Sequence, residues 1–518
     1  MVFPPLRTLS QKINSEYGWS FLFFLGIFWL SNSGYDTSEG SGHYLLAEHI
    51  VRTGRLGYSP LLDAGSAYRP GFMGPNGNYY IPHEIGNTLF LLPTAAFNLL
   101  LESCLKSAIS LERIADLQRF VVAFQPGVYM AITATALLAI LRVGFQIPQR
   151  TRFLLVNLTI FTSFLWPYSR SLYDGVLCTM LLSLAFLGLL HSQGRHSSRS
   201  RDRALLASAV ALGLGLITRL SMVIPVIASL AYLVVQGRCQ GKSPLPAVKT
   251  VILTLIPFSL WQLWYNALRT GSALTSPVQT DTYANNNGLD GNWFLGVFGL
   301  LASPGKSVFL YVPLLLLSVL VFGAFYRRHR PEAIYLLILG GGWLALHAKL
   351  QSWYGAWGWG PRHFVPLAIF LSLPALVEFQ RILGQWSLRI PAITAVLWGL
   401  LLEGCAIISN WHFRLAYARE QGRDQDAFFV WGWPQNQAID MVQGGLGNLH
   451  RLLTGGDPLT ITSEYSPANE YVSSTLSLWP NVLIAIGVPW PLALTLALPL
   501  VLLVVWSASR LWQSYKMS

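Results

Sequence analysis

The sequence has few charged residues for its length. Asp, Glu, Lys and Arg make up only 11% of the 518 residues, while 53% are hydrophobic; soluble domains contain about 25% charged residues. A soluble protein of this size needs more polar surface to cover its cores. The low charge therefore excludes an ordinary soluble protein and indicates that much of the apolar surface faces a lipid bilayer.

Cysteine is scarce as well, and no internal repeat is visible. The four cysteines are Cys104, Cys178, Cys239 and Cys405, far apart and never in CxxC spacing. This distribution supplies neither a metal site nor a disulfide framework. We expect no metal and no cofactor.

Basic residues outnumber acidic ones, 35 to 23, which gives a net charge of +12. The Lys and Arg residues lie in short clusters between apolar runs, a placement that argues against a nucleic-acid partner and is typical of cytoplasmic loops. More than half of them fall in the two termini and in segments 142–152, 191–203, 238–249, 327–330 and 381–389. We place all of these segments on the cytoplasmic side.

The apolar runs between these basic segments predict the transmembrane helices, because a span needs about 20 apolar residues. The predicted spans lie near 17–31, 120–141, 250–267, 308–325, 333–348, 364–380, 390–409 and 481–509, with two more within each of 153–190 and 204–236. The sequence therefore predicts an all-α polytopic membrane protein with about twelve transmembrane helices and both termini inside. The outer segments are then 32–119, 268–306, 349–362 and 410–480.

One apolar run fits this count only if it does not cross the membrane. We interpret Ile85–Leu101 as a helix in the outer interface. The alternative is a true span with a shifted topology. The first span is short and precedes Ser31 and Ser33, so a cleaved signal peptide is a second alternative.

Acidic residues follow the first span directly, in the segment Tyr35-Asp36-Thr37-Ser38-Glu39. A carboxylate held at the membrane surface is a functional candidate by default. The alternative is that Asp36 only caps a helix. The spacing of Tyr44, Leu46, Ala47 and Ile50 predicts that helix, with a stop at Thr53-Gly54.

Four cations occupy outer positions near the bilayer: Arg170, Arg219, Lys306 and Arg362. For each cation taken alone, the alternative is that its side chain extends to the lipid headgroups. Several cations around one carboxylate suit an anionic phosphate whose tail lies in the bilayer. Gly305-Lys306-Ser307 is not part of a P-loop, because Leu300 occupies the position of the first glycine.

The most distinctive segment is 353–363, which contains Trp353, Tyr354, Trp357 and three glycines. So many glycines disfavour a stable helix. Aromatic faces suit sugar rings or lipid, and glycine permits close backbone approach. The alternative is an aromatic belt at the membrane interface.

Together these motifs resemble the GT-C superfamily of polytopic glycosyltransferases, which includes protein O-mannosyltransferases and the aminoarabinose transferase of lipid A. The resemblance spans residues 17–380. The motifs are Asp36 with Glu39, Tyr79–Gly86 with His83, Tyr265–Gly271, Ser303–Lys306, Trp353–Gly355 and Gly360–Arg362. Two departures concern the substrate: Asp36 is followed by Thr, and His83 is followed by Glu where mannosyltransferases have prolines.

The resemblance implies a GT-C-like catalytic module at 1–380 and C-terminal helices at 381–518 with the outer loop 410–480. It implies inverting transfer of a sugar from a polyprenyl-phosphate donor to an acceptor hydroxyl, on the outer face of a bacterial inner membrane. Asp36 would be the base, and Glu39 would orient either Asp36 or the acceptor. Substrate-binding candidates are Arg170, Arg219, Lys306, Trp353, Tyr354, Trp357, Arg362 and His83. The acceptor stays open, as do two alternative functions: a transporter or flippase for an anionic solute, and a non-catalytic membrane scaffold.

Overall fold

The structure is a computed structural model that describes residues 16–34, 40–59, 71–194, 197–277, 288–356, 358–409, 411, 414–415, 418, 422, 429–433, 435–455, 476–485 and 488–517. The described residues are mostly helical. The α-helices are Glu16–Leu30, Ser41–Thr53, Gly86–Leu105, Leu111–Ala123, Gln125–Val143, Gln149–Phe161, Leu165–Tyr168, Asp174–Gln193, Ser198–Leu216, Val223–Cys239, Leu245–Thr270, Trp293–Ala302, Val308–Tyr311, Leu314–Arg328, Arg330–His347, Ala368–Val377, Phe379–Gly384, Trp386–Ile408, Gln437–Thr454, Trp479–Ala485 and Trp490–Met517. Two 3-10 helices, Leu220–Met222 and Arg362–Leu367, and two paired strands, Phe72–Met73 and Tyr79–Tyr80, complete the described elements.

Every predicted span overlaps one or more of these helices. Within the described residues, seven helical segments are long and apolar enough to cross a membrane. They are Gly86–Leu105, Leu111–Val143, Asp174–Gln193, Leu220–Cys239, Leu245–Thr270, Trp386–Ile408 and Trp490–Ser514, and shorter apolar helices accompany them. The all-α polytopic membrane fold is thus confirmed, while the count of twelve spans stays a prediction.

Contacts between the predicted cytoplasmic segments place several of them at one end of the bundle. Arg152 forms an ion pair with Glu16 at 2.5 Å, and both side chains are largely buried. The Arg142 guanidinium donates to the Tyr17 hydroxyl at 3.3 Å, and the Gln149 amide donates to the Ser514 hydroxyl at 3.2 Å. The start of the first helix, the loop before Gln149–Phe161 and the end of the last helix therefore share one end.

At the opposite end, the first outer segment folds into helices that pack on one another. Ser41–Thr53 ends at Gly54, whose φ of 71° gives the predicted left-handed stop. The Asn98 amide of Gly86–Leu105 donates to the Tyr44 hydroxyl at 2.6 Å and to the carbonyl of Gln118 at 3.1 Å. Gly86–Leu105 thus lies between two helices that both carry charged residues, such as Arg52 and Glu112.

The helix Asp174–Gln193 runs through the centre of the bundle, with almost all of its side chains buried. It packs against Gln125–Val143 on one side and Ser198–Leu216 on the other. Its buried face consists mainly of Leu, Met and Phe, and its Gly188 leaves room for the backbone of Ala204, whose oxygen would lie 2.7 Å from a Cβ there. A rigid, buried helix of this kind gives its first residue, Asp174, a fixed position.

Candidate functional site

An acidic and a basic side chain meet at the end of the bundle that holds the first outer segment. Asp174 is the first residue of the central helix, and Arg219 lies at the break between Ser198–Leu216 and the 3-10 helix Leu220–Met222. A carboxylate oxygen of Asp174 lies 3.5 Å from Nη1 of Arg219. Their side chains are 27% and 17% exposed. The pair is therefore partly shielded yet open to a ligand.

Arg219 is fixed from its other side by a histidine. Its Nη2 lies 2.7 Å from Nδ1 of His363. Because an arginine can only donate, Nδ1 must accept, and the imidazole proton of His363 is on Nε2. The ring of His347 stacks on that of His363 at 5.2 Å between centroids, and the Trp343 indole donates to the His363 carbonyl at 2.8 Å. These contacts orient the guanidinium group of Arg219 towards Asp174.

Two further histidines come from the first outer segment. The ring centroids of His43 and His83 are 5.3 Å apart, and His43 Nδ1 lies 3.1 Å from the hydroxyl of Thr88. Burial, with a smaller contribution from His83, lowers the pKa of His43 from its ordinary value of 6.5 to about 3. His43 is therefore neutral at physiological pH. Both rings interact electrostatically with Asp174.

Arg362, from another part of the chain, lies near enough to influence the same carboxylate. It interacts electrostatically with Asp174, and its guanidinium lies over the ring of Tyr173, 5.0 Å from the centroid. Its stem runs past Gly355 and Gly358, where an added Cβ would lie 2.9 Å and 2.5 Å from side-chain carbons of Arg362. The two glycines of the aromatic segment thus make room for this arginine. We call Asp174, Arg219, Arg362, His43, His83 and His363 the Asp174–Arg219 cluster.

A buried ion pair holds the loop that carries His83. Arg269 is fully buried and donates to the carbonyl of His83 at 2.7 Å and to the carboxylate of Glu84 at 3.0 Å. The Gln262 amide donates to the same carboxylate at 2.5 Å. Two of the motifs on which the resemblance rests, Tyr79–Gly86 and Tyr265–Gly271, therefore meet in space, and their contact fixes the backbone on both sides of His83.

Backbone contacts bring together the segments that carry the residues of the cluster at one end of the bundle. The amide of Gly86 donates to the carbonyl of Ile217 at 2.7 Å, two residues before Arg219. Gly40 packs so closely on Leu172 that an added Cβ would lie 2.3 Å from its carbonyl oxygen. The first outer segment thus contacts the turns of two helical hairpins, residues 149–193 and residues 198–239.

Lys306 has a different environment from the one that the sequence analysis assumed. Its side chain is fully buried, and Nζ donates to the carbonyls of Ala356, Gly358 and Gly360 at 3.3, 2.8 and 3.1 Å. These three bonds use the three donors of an ammonium group. The interpretation of Lys306 as a phosphate ligand is therefore replaced by a proposed structural role, in which it holds the segment before Arg362.

Arg170 requires the same correction. It is 3% exposed, and its two Nη atoms donate to the carbonyls of Ala406, Ile407, Ser409 and Ser477 at 2.6 to 3.3 Å. Three of these carbonyls lie at the end of the helix Trp386–Ile408, where the carbonyls have no partner within the helix. A cation also suits the negative end of the helix dipole. We propose that Arg170 caps this helix rather than binding substrate.

Of the three aromatic candidates, the structure describes Trp353 and Tyr354. Trp353 is 5% exposed and packs over Gly299, where an added Cβ would lie 2.0 Å from the indole ring. Tyr354 is half-buried and meets Trp353 edge-on at 5.5 Å. Both pack on the apolar core of the bundle, and a role in sugar binding stays a prediction. Asp36, Glu39 and Trp357 lie outside the described residues.

Sequence reasoning missed three members of the cluster: Asp174, His43 and His363. Asp174 carried a signal, because a carboxylate that begins an apolar helix stands at a membrane surface. His43 and His363 stood beside residues that were singled out, but neither lies in a recognisable motif. Among the described residues no group of His, Cys, Asp or Glu has the arrangement of a metal site.

The geometry suits binding of an anion at a bilayer surface. Arg219 and Arg362 supply guanidinium groups, which only donate hydrogen bonds and therefore suit an anion. Asp174 keeps the guanidinium of Arg219 oriented and limits the net positive charge when no anion is bound. Guanidinium groups held in this way can form charge-assisted hydrogen bonds to an anionic group.

Residues 109–264 of the chain match the family described as dolichyl-phosphate-mannose-protein mannosyltransferase. The matched segment includes Asp174 and Arg219, and it corresponds to about a third of the chain. The match confirms, over that segment, the resemblance to GT-C membrane glycosyltransferases. No curated protein matches the chain significantly.

Several solved structures are similar as well. ArnT from Cupriavidus metallidurans bound to undecaprenyl phosphate has 13% identity, covers 97% of this chain and 78% of that chain, and gives a TM-score of 0.46. The archaeal oligosaccharyltransferase AglB from Archaeoglobus fulgidus, in complex with an inhibitory peptide and a dolichol-phosphate, has 12% identity. It covers 81% of this chain and 60% of that chain, with a TM-score of 0.43. These similarities are distant, so the roles of individual residues are inferred from this chain's own geometry.

Proposed function

We propose that the protein is a membrane glycosyltransferase that moves a sugar from a polyprenyl-phosphate donor to an acceptor hydroxyl on the outer face of the membrane. The observation that carries this proposal is the Asp174–Arg219 cluster. Four separate parts of an apolar chain bring one carboxylate, two arginines and three histidines to a single end of the bundle. The family match over residues 109–264 supports the same class of reaction.

The phosphate of the donor would bind Arg219 and Arg362, with His83 as a further donor. During transfer, the bond between the sugar C1 and the phosphate oxygen breaks, and polyprenyl phosphate leaves with the electron pair. A phosphate monoester is already a weak base, so the leaving group needs cations and no general acid. The two arginines provide this stabilisation where the charge develops.

The acceptor hydroxyl attacks C1 and loses its proton to a base. We assign this role to Asp36, because an aspartate with an ordinary pKa of about 4 is ionised at neutral pH. Gly40, four residues further along the chain, packs against Leu172 beside the cluster. Glu39 is the proposed orienting residue. One carboxylate that acts as base is sufficient, unlike the carboxylate pair of a glycosidase.

Lipid binding by the purified full chain tests this proposal. We expect undecaprenyl phosphate to bind in detergent or nanodiscs and undecaprenol, which lacks the phosphate, to bind much more weakly. Arg219→Gln and Arg362→Gln should each weaken binding of the phosphate about tenfold or more, since each removes a charge-assisted contact. Arg119→Gln, at an exposed arginine paired only with Asp116 among the described contacts, is the matched control. Equal affinity for the two lipids would overturn the proposal.

A further inference from the structure

The segment that presents Arg362 follows an irregular path with short-range turn hydrogen bonds, such as the one from the Gly358 amide to the Gly355 carbonyl at 3.0 Å. Gly355 and Gly360 have φ of 81° and 55°, and Ala356 has a φ of 44°, which is costly for a residue with a side chain. Such a conformation persists only when its surroundings fix it. Lys306 supplies one set of contacts, through three carbonyls of this segment.

A second set of contacts comes from the last outer loop. Gln437, the first residue of Gln437–Thr454, is 3% exposed. Its Oε1 accepts from the amide of Gly360 at 3.1 Å, and its Nε2 donates to the carbonyl of Gly358 at 3.1 Å. One amide side chain thereby pairs with the backbone of the segment on both sides of Trp359, as a neighbouring strand would.

The third contact comes from a carboxyl group within an apolar helix. Glu403 lies fully buried in Trp386–Ile408, and its Oε2 accepts from the Trp359 indole at 2.9 Å. The carbonyl of Trp359 accepts in turn from the Tyr168 hydroxyl at 2.8 Å. An acidic residue inside a membrane helix is costly and is retained where it has a function. Here the only hydrogen bond described for it goes to the segment that ends in Arg362.

We infer that Gln437 and Glu403 are positioning residues that hold the segment 355–362 so that Arg362 faces the phosphate of the donor. The inference rests on the proposed function for the identity of that ligand. The part of the chain after residue 380 would thereby help to form the site. Neither residue touches the substrate; both act through the backbone and the indole that precede Arg362.

A double-mutant cycle on undecaprenyl phosphate binding tests the inference. Gln437→Leu should weaken binding about three- to tenfold in the natural background and have no further effect once Arg362→Gln is present. A residue that only stabilises the fold would weaken binding by the same factor in both backgrounds. Gln443→Leu is the matched control, since Gln443 is an exposed glutamine of the same helix. Equal effects in the two backgrounds would overturn the inference.

Glu403 offers a test by conservative replacement. Glu403→Gln keeps an oxygen that accepts from the Trp359 indole and should bind the lipid phosphate as the natural protein does. Glu403→Leu removes the acceptor and should weaken binding to about the extent of Gln437→Leu. Equal binding by the two Glu403 variants would contradict a positioning role through Trp359.

Hydrogen exchange of the segment 355–362 gives a readout that does not depend on the ligand. Gln437→Leu should make the Gly360 amide exchange faster, whereas Gln443→Leu should not. Unchanged exchange overturns the inference even if the lipid binds. A different outcome is that the natural protein binds no lipid phosphate while the Gly360 amide exchanges faster in Gln437→Leu. In that case the proposed function fails, but the contact by which Gln437 holds the segment is supported.

Discussion

Asp174 and Arg219 belong to two different helical hairpins, and their charged groups meet at 3.5 Å. His363, from a third part of the chain, contacts Arg219 from the opposite side at 2.7 Å. Because helix Asp174–Gln193 is largely buried, the core holds the backbone that carries the carboxylate. The pair thus joins two parts of the bundle that a third part, through His363, also contacts.

Replacing Asp174 should impair transfer with little change in fold. Asp174→Asn keeps the size of the side chain but removes the charge that orients Arg219, so we expect transfer to fall by about 100-fold. Sugar transfer by the reconstituted protein measures the effect. Asp116→Asn, at an exposed aspartate of Leu111–Ala123, should transfer normally. Near-natural transfer by Asp174→Asn would remove this residue from the site.

Arg219 should not be replaceable by lysine. A guanidinium contacts Asp174 and His363 at once through two nitrogens, and a single ammonium nitrogen lacks this geometry. We expect Arg219→Lys to weaken undecaprenyl phosphate binding about tenfold or more, as measured by native mass spectrometry. Full affinity in Arg219→Lys would show that only the charge matters and that the fork-shaped geometry does not.

Lys306 should affect stability far more than an exposed lysine does. Lys306→Met removes the ammonium group that donates to three carbonyls of the segment 356–360, and only the Gly358 and Gly360 carbonyls keep another described donor, so the free energy of unfolding should fall by about 3 kcal/mol. Thermal unfolding in detergent measures the loss. Lys349→Met, at an exposed lysine with one carbonyl contact, should change the melting temperature little. A normal melting temperature for Lys306→Met would contradict the structural role.

The pKa of His43 predicts a loss of stability in acid. The folded protein keeps His43 unprotonated down to about pH 3, whereas the unfolded chain takes up a proton below about pH 6.5. The free energy of unfolding is therefore unaffected by protonation of His43 well above pH 6.5, and it falls as the pH is lowered from 6.5 towards 3. Between pH 7.5 and pH 5 the cost is about 2 kcal/mol.

Thermal unfolding of His43→Gln at several pH values checks this contribution. The variant should lose less stability than the natural protein between pH 7.5 and pH 5, while His450→Gln, at an exposed histidine, should lose as much. An identical acid sensitivity of His43→Gln and the natural protein would show that His43 is protonated when folded.

The helices could be predicted from the sequence because the signal is local. A span needs a run of apolar residues, and the basic turns between runs fix the alternation; each predicted span has its helix. The stop at Gly54 was predictable for the same reason, since glycine alone adopts its backbone angle without strain. The structure brings Arg219, Arg362 and His83 to one end of the bundle, while the side of the membrane that this end faces stays a prediction.

The partners of the charged residues could not be predicted in this way. Arg170 and Lys306 occupy the expected outer regions, but both are buried against backbone carbonyls, and nothing in the local sequence distinguishes such a cation from one that binds a ligand. Asp174 was missed because its significance depends on Arg219, a residue of another hairpin. Burial and pairing are properties of the packed bundle, and a single sequence gives little information about them.

Transfer of radiolabelled sugar from a polyprenyl-phosphate sugar, by the purified full chain in vesicles supplied with membrane lipids, glycans and proteins as acceptors, tests the central claim most directly. We predict labelled product and release of an equal amount of polyprenyl phosphate by the natural protein and by Asp116→Asn, and loss of both by Asp36→Asn. Near-natural transfer by Asp36→Asn would contradict the assignment of the base. Failure of the natural protein to release polyprenyl phosphate with any acceptor would contradict the enzymatic account and favour a transporter or a scaffold.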